Sequence, residues 1–292
     1  MTAPLIGVDP EIFAAYFDKK PFHVRHALAD HPLFSLPRLM ELARCLPEAF
    51  VEYNGGNLPV GARPQDTPRT GLSAEETVRR IAECGSWMVL KRVEQDPDYG
   101  ALLDRCLDDV AAQAGAAVPR MLRREGFIFL SSPGAVTPFH LDPEHNFLLQ
   151  VRGSKTVSMW DRDDRFVLPD AELEKFYSAF VHRNLPWRDV FQTTAWVVPL
   201  APGQGLHFPV AVPHWVQNGP EVSISFSITF RSESSHGREL VYRANARLRK
   251  LGFSPRPPGR SILLDSSKRA AFSALSELKR VLSRESGAEL RP

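Results

Sequence analysis

Thr137-Pro138-Phe139-His140-Leu141-Asp142, continuing through His145 and Asn146 to Gly153-Ser154-Lys155, is the stretch on which the fold of this chain turns. With residues 139–141 extended, His140 and Asp142 lie two positions apart and point to the same face of a strand. An imidazole and a carboxylate then converge on one point. A neutral nitrogen donor beside a hard oxygen donor makes two thirds of the 2-His-1-carboxylate facial triad, which leaves coordination positions open on ferrous iron. The third donor is expected to be a second histidine from a distant strand.

Outward from this stretch the pattern is that of strands. Phe127-Ile128-Phe129-Leu130, Phe147-Leu148-Leu149-Gln150-Val151, Thr156-Val157-Ser158-Met159-Trp160, Thr194-Ala195-Trp196-Val197-Val198 and residues 222–230 are short β-branched or aromatic runs separated by turn residues. Residues 222–230 alternate strictly between apolar and small hydroxyl side chains, so one face packs while the Ser/Thr face can line something wet. This predicts an all-β core, a sandwich or small barrel, instead of a parallel α/β sheet. Two histidines stand late enough to complete the triad, His207 and His214. His214 is preferred, because Pro213-His214 follows a turn and enters the next strand, whereas His207 lies in the strand before it.

These residues resemble a known family, the cupin-like, Jumonji (JmjC)-type 2-oxoglutarate oxygenases that include the asparaginyl hydroxylase of hypoxia-inducible factor. The matching elements are T-P-x-H-x-D with a following Asn, G-x-K shortly after, and P-G-x-G-x-x-x-P followed by P-H-W. The match is strong over about residues 120–232 and weak in the N-terminal part. It implies a double-stranded β-helix (jelly-roll) core that binds Fe(II), 2-oxoglutarate and O2, with His140, Asp142 and His214 as the metal ligands. Lys155 falls where the family pairs a lysine with the distal carboxylate of 2-oxoglutarate, and Thr137 and Asn146 fall where its side chains hydrogen-bond the same cosubstrate. Ser227 stands where the asparaginyl hydroxylase has an asparagine. The implied reaction is hydroxylation of a protein side chain or a small molecule, with release of succinate and CO2. The alternative is a non-catalytic cupin-like protein that binds a ligand or regulates transcription. Toward such a site, His145 is read as a residue behind the ligands or at the surface, Trp160, Trp196 and Trp215 as core, and Tyr53 as a weaker candidate for the cosubstrate pocket.

The flanking segments are read from pattern alone. Residues 9–48 are expected to be mainly helical, with Asp9-Pro10 as a cap and first-turn pair and a short strand at Phe22-His23-Val24-Arg25. Residues 54–72 and 161–193 are expected to be loops that shape the mouth of the site. Between them, a helix is expected from Ser73 to Ala82, a strand at Ser86-Trp87-Met88-Val89-Leu90-Lys91, and a helix over 98–116. After the core, residues 238–251 read as a basic amphipathic helix and Asp265 as the cap of a second helix to about Arg284, with an apolar stripe of Phe272, Leu275, Leu278 and Leu282. The expected division is a helical or mixed region at 1–120, the catalytic core at 121–232 and a basic helical extension at 233–292 that serves as a cap or a homodimer interface.

Composition sets the outer bounds. With 43% hydrophobic and 24% charged residues, the chain can bury a substantial core. It carries no apolar run of the roughly 20 residues a bilayer span needs and no signal-peptide pattern, so no membrane partner and a cytoplasmic location are expected. The three cysteines are scattered and without CxxC spacing, which suggests neither a disulfide framework nor a zinc knuckle. Net charge is +2, yet from Arg231 onward 14 Lys/Arg stand against 6 Asp/Glu, a balance of +8 that leaves −6 for the remainder. With no recognised DNA-reading motif in that tail, its basic face is read as solvated and nucleic acid is not expected as a partner.

Overall fold

The structure is a computed structural model that describes residues 3–179 and 183–288, with Ala179 and residues 276–288 described by their backbone alone. Its strands are β1 (Ile6–Gly7), β2 (Phe22–His26), β3 (Val51–Gly55), β4 (Ser86–Lys91), β5 (Leu122–Ser131), β6 (Val136–His140), β7 (His145–Arg152), β8 (Lys155–Met159), β9 (Trp196–Leu200), β10 (Gln204–Phe208), β11 (His214–Asn218) and β12 (Ser223–Arg231). Its helices are α1 (Pro10–Tyr16), α2 (Leu36–Cys45), α3 (Ala74–Arg79), α4 (Pro97–Ala114), α5 (Asp170–Ala179), α6 (Glu233–Lys250) and α7 (Ile262–Ala288). Two compact units result: one runs from the N-terminal region to Val167 and resumes over Arg183–Ser232, and the other holds α5, α6 and α7.

The first unit is built on two antiparallel sheets. The larger runs β1-β2-β10-β7-β12-β5-β4-β3 and the smaller β6-β11-β8-β9. Between β5 and β12 the chain changes sheet at every connection except that from β8 to β9, so β5-β12-β7-β10 faces β6-β11-β8-β9 as a jelly roll, the all-β core read from the sequence. The tight turn from β7 to β8 carries the chain from one sheet to the other at Gly153, where φ is +65° and any Cβ would run into the Val222 carbonyl. Only glycine fits both conditions.

Alternation along β12 separates two cores. Ile224, Phe226, Ile228 and Phe230 point to the outer face of the large sheet, where they pack with Phe13 of α1, Leu39 and Leu42 of α2, and Tyr99, Leu103, Leu107 and Val110 of α4. Ser225, Ser227 and Thr229 point the other way, into the space between the sheets, where they are buried. That interior also holds an apolar cluster of Leu148, Val157, Met159, Val198, Leu200, Leu206, Phe208, Val212 and Val216. The helices that cover the outer face start where the sequence suggests. Asp9 accepts from the backbone N–H groups of Glu11 and Ile12 with Pro10 in the first turn of α1, and Asp96 caps α4 ahead of Pro97.

Several expectations need correction. The N-terminal region adds four strands, β1 to β4, to the large sheet, two of which (β1 and β3) are absent from the sequence reading. The segment 161–193 is not all loop, since it contains α5. Helix α6 begins five residues before the expected start, and α7 begins at Ile262, three residues before Asp265, whose carboxylate instead accepts the backbone N–H of Gly259. On α7 Phe272 is buried while Leu275 is exposed; the side chains of Leu278 and Leu282 lie outside the described residues. Trp160 is buried as expected, but Trp196 is 45% exposed on β9, the edge of the small sheet. The described residues include no helix long and apolar enough to cross a membrane.

Candidate metal centre

His140, Asp142 and His214 come together at one end of the jelly roll, with their ligand atoms within 4.8 Å of one another. Strand pairing explains how. His214 opens β11 directly opposite His140, the last residue of β6, and Asp142 follows two residues on. The histidine rings lie 4.1 Å apart between centroids, and Asp142 Oδ2 stands 3.8 Å from His214 Nε2.

Each histidine is held in one tautomer by the backbone. His140 Nδ1 is 2.7 Å from the Pro138 carbonyl and His214 Nδ1 is 3.0 Å from the Val212 carbonyl. A carbonyl can only accept, so both Nδ1 atoms carry the proton and both Nε2 lone pairs are left for a cation. Burial, reinforced by the neighbouring His214, pushes His140 down to about 4. Burial also pushes His214 down, against an opposing pull from Asp142. Burial alone would raise Asp142, but Arg183 and the two imidazoles together bring it down to about 2. At neutral pH the set is two neutral imidazoles and one carboxylate, the protonation state that metal ligation requires. His207, the alternative third donor, lies on the outer face of β10 and is excluded from the triad.

A bulge places the next residue of the motif. The pairing of β11 with β6 slips between His214 and Val216, so that Val216 faces Thr137 while His214 faces His140. Opposed residues on antiparallel strands share a face. Thr137 and His140, three apart in sequence, therefore both point inward. Asn146 and Ser227 also point inward, from β7 and β12, and the Ser227 hydroxyl donates to Asn146 Oδ1 at 2.8 Å.

Lys155 opens β8 opposite Asn218, the last residue of β11, and by alternation shares the inward face with Val157 and Met159. It is 6% exposed, and burial brings its ammonium down to about 7. Among the described residues none pairs with its Nζ. Four residues of β11 separate the Lys155 level from His214, about 13 Å along a strand. A concavity of about 700 Å³ opens at the Lys155 end of the barrel, lined among others by Lys155, Gln204, Gln217 and Asn218.

The wall around β6 comes from segments the sequence reading treated as loops. Gly56 and Val60 accept from the backbone N–H groups of Val136 and Phe139, each at 2.8 Å, and so cover the free edge of β6. The stretch at 183–185 lies along the end of the same strand, bridging His140 through Asn184. Its Arg183 donates to Asp142 Oδ1 at 2.5 Å and lies 3.6 Å from Glu144, whose other oxygen is 3.2 Å from Arg231. Arg183, Glu144 and the buried Asn218 were not singled out in the sequence. No motif marks them, and of the three only Glu144 is a buried charge, for which a partner is to be expected.

Two other sequence candidates are placed elsewhere. His145 is fully buried, hydrogen-bonds Ser232 and stacks between Phe17 and Phe230 on the outer face of the large sheet, neither at the surface nor behind the ligands. Tyr53 packs against that same outer core.

His207 joins them, its ring against Phe17, Phe22 and Phe147. Burial and the nearby His145 push it well below its ordinary value of 6.5, against weaker pulls from Asp18 and the Asn146 backbone. A depressed histidine binds fewer protons folded than unfolded, so its contribution to stability is complete above about 6.5 and is lost as pH falls below that value. Each pH unit below it costs up to about 1.4 kcal/mol. His207→Leu is expected to flatten the fall in thermal unfolding temperature between pH 7 and pH 5; an unchanged slope would remove His207 as its source.

No family model matches the chain, and neither does any curated protein. Solved structures do. YcfD of Escherichia coli is similar over 92% of this chain and 67% of its own, with a TM-score of 0.54 at 19% identity. YcfD described as a ribosomal oxygenase matches over 94% and 67% at TM-score 0.52 and 16% identity. The same protein in complex with cobalt and succinic acid matches over 91% and 65% at TM-score 0.50 and 18% identity. This chain spans about two thirds of the length of those chains. It shares the fold of YcfD, and in this chain that fold is a double-stranded β-helix with a His-Asp-His cluster at one end of the barrel.

Proposed function

We propose that the protein is an Fe(II)- and 2-oxoglutarate-dependent oxygenase that hydroxylates a protein side chain or a small molecule. The observation that carries this reading is the triad itself, two imidazoles whose Nδ1–H groups are tied to backbone carbonyls and one carboxylate, all aimed at a common point. Three protein donors leave positions open, which suits a metal that must also take a cosubstrate and oxygen. When bound, ferrous iron supplies the redox chemistry: O2 is reduced as 2-oxoglutarate is split to succinate and CO2, and one oxygen atom enters a C–H bond of the substrate.

The chain's own residues bind and orient. Lys155 meets the distal carboxylate of 2-oxoglutarate from the far end of the barrel, and Thr137, Asn146 and Ser227 offer hydrogen bonds along its length. The apolar cluster of Val157, Met159 and Val216 between them excludes water. A five-carbon dicarboxylate and an extended lysine side chain together suit the span of about 13 Å between the two levels. The YcfD complex with succinic acid supports a pocket for the product of this reaction, and the description of YcfD as a ribosomal oxygenase favours a macromolecular substrate.

The proposal extends to assembly. The exposed Leu251, Phe253, Ile262 and Leu263 support a homodimer formed through the C-terminal helices of the 233–292 extension. The 1–120 and 121–232 divisions are proposed as the wall and the catalytic core. Cytoplasmic residence is proposed on the sequence alone.

The test is anaerobic binding of 2-oxoglutarate to the purified protein with and without Fe(II). Binding that requires the metal supports the oxygenase reading and justifies a search for a substrate that gains one oxygen atom. No binding with Fe(II) present sinks it and leaves the non-catalytic ligand-binding protein standing.

A further inference from the structure

The two oxygens of Asp142 face different partners. Oδ2 is the one 3.8 Å from His214 Nε2, and Oδ1 receives the Arg183 guanidinium at 2.5 Å. We infer that Arg183 is a positioning residue that confines Asp142 to ligation through a single oxygen, an inference that rests on the metal-dependent reading above. A carboxylate engaged by a charged donor on one oxygen presents the other at a defined angle, and it does not close over a second metal position. For a reaction that needs the remaining positions for a keto acid and O2, that restriction matters.

The surroundings show that Arg183 is itself held. Its carbonyl accepts the Leu141 N–H at 3.2 Å, and two residues on, the Leu185 N–H donates to the Phe139 carbonyl at 2.9 Å. Asn184 between them donates from Nδ2 to the Ala62 carbonyl at 2.9 Å. The backbone bearing Arg183 is therefore tied to the end of β6, the strand that carries His140, and to the segment that covers its edge. On the side-chain side, Glu144 lies 3.6 Å from the guanidinium, is 6% exposed, and meets Arg231 at 3.2 Å through its other oxygen.

Asp142, Arg183, Glu144 and Arg231 thus alternate in sign along one chain of contacts. This arrangement decides between two opposed effects of a cation beside a metal ligand. A bare guanidinium would repel an incoming metal, but Glu144 offsets its charge at short range, leaving its hydrogen-bonding geometry as the larger effect. Removal of Arg183 should therefore weaken metal binding, not strengthen it.

Titration of metal-free protein with Co(II), followed by the visible absorption of the bound ion, tests this without any turnover. Arg183→Met is expected to bind Co(II) about 10- to 100-fold more weakly, with an altered absorption band, because the supporting partner of a ligand has that order of effect on affinity. Arg183→Lys should recover part of the affinity, since an ammonium restores the charge but not the fork. Wild-type affinity and spectrum in Arg183→Met overturn the inference. Where Arg183→Met fails to fold, Glu144→Gln takes its place: weaker Co(II) binding with a shifted band supports the inference, and an unchanged titration overturns it. Failure of the wild-type protein to bind Co(II) at all overturns the metal-dependent reading itself.

Discussion

Asp142→Ala is expected to abolish metal-dependent binding of 2-oxoglutarate and to reduce succinate formation by more than about 10³-fold, equivalent to roughly 4 kcal/mol of transition-state stabilisation. Two facing imidazoles remain in that variant, tied as before to the Pro138 and Val212 carbonyls. They make a neutral pair with no anionic donor to hold a hard divalent cation. The substitution also removes an anion from Arg183, but that side chain is 46% exposed, so water takes over part of the lost partner's role. Here Glu144 still lies 3.6 Å from that guanidinium, so the folded state is expected to survive. Asp142→Asn keeps the shape and removes the charge, and it should lose most of the metal affinity while unfolding at nearly the wild-type temperature. Calorimetric titration with Fe(II) under anaerobic conditions, beside thermal unfolding of each variant, separates loss of the site from loss of the fold. Full succinate formation in Asp142→Ala would remove Asp142 from the ligand set.

The centre of this fold was legible because alternation is a hard constraint. The hydroxyl and apolar positions of residues 222–230 assign both faces of β12, and the structure buries them in two separate cores. His214 and His207 were told apart by strand order alone, and they lie on opposite sides of the large sheet, His214 clustered with His140 and Asp142 on the inner side and His207 in an aromatic cluster on the outer one. Thr137 is a harder case. Simple alternation from His140 would turn it outward, and the family motif carried a fact that periodicity could not, namely the bulge opposite Trp215 that turns it in.

What stayed hidden depends on pairing at a distance. Arg183 lies in a segment with no periodic pattern, 41 residues from Asp142, and only the folded chain shows that its side chain and carboxylate meet. Strands β1 and β3 are short, and they form by adding to edges already present, β1 on β2 and β3 on β4. Their own sequences give little to detect. His145 was misplaced because a histidine three residues from a ligand invites a role at the site. As the first residue of β7, it faces the side of the sheet opposite to Asn146.

Lys155→Met is expected to weaken 2-oxoglutarate binding to the metal-loaded protein by about 100-fold or more, since loss of a charged partner in a buried site costs roughly 2–5 kcal/mol. The lysine also gives binding a pH signature that the triad does not. Burial brings the free ammonium down to about 7, so at pH 8 most of the ligand-free protein carries a neutral amine. A carboxylate of the bound cosubstrate favours the charged form, and binding at pH 8 should therefore take up close to one proton. Above pH 7 the apparent affinity should fall by up to about tenfold per pH unit, the ordinary slope for uptake of one proton. The stability of the ligand-free protein moves the other way: a folded-state value below 10.5 makes the burial penalty complete below about 7 and relieves it as pH rises from 7 toward 10.5. Lys155→Met carries no such group, so it should unfold at a higher temperature than the wild type at pH 6.5 while binding cosubstrate poorly at every pH. Calorimetry in two buffers of different ionisation enthalpy measures the proton uptake directly. No uptake at pH 8, with affinity intact in Lys155→Met, would mean that the distal carboxylate is held elsewhere, with the buried Asn218 opposite Lys155 as the next residue to replace.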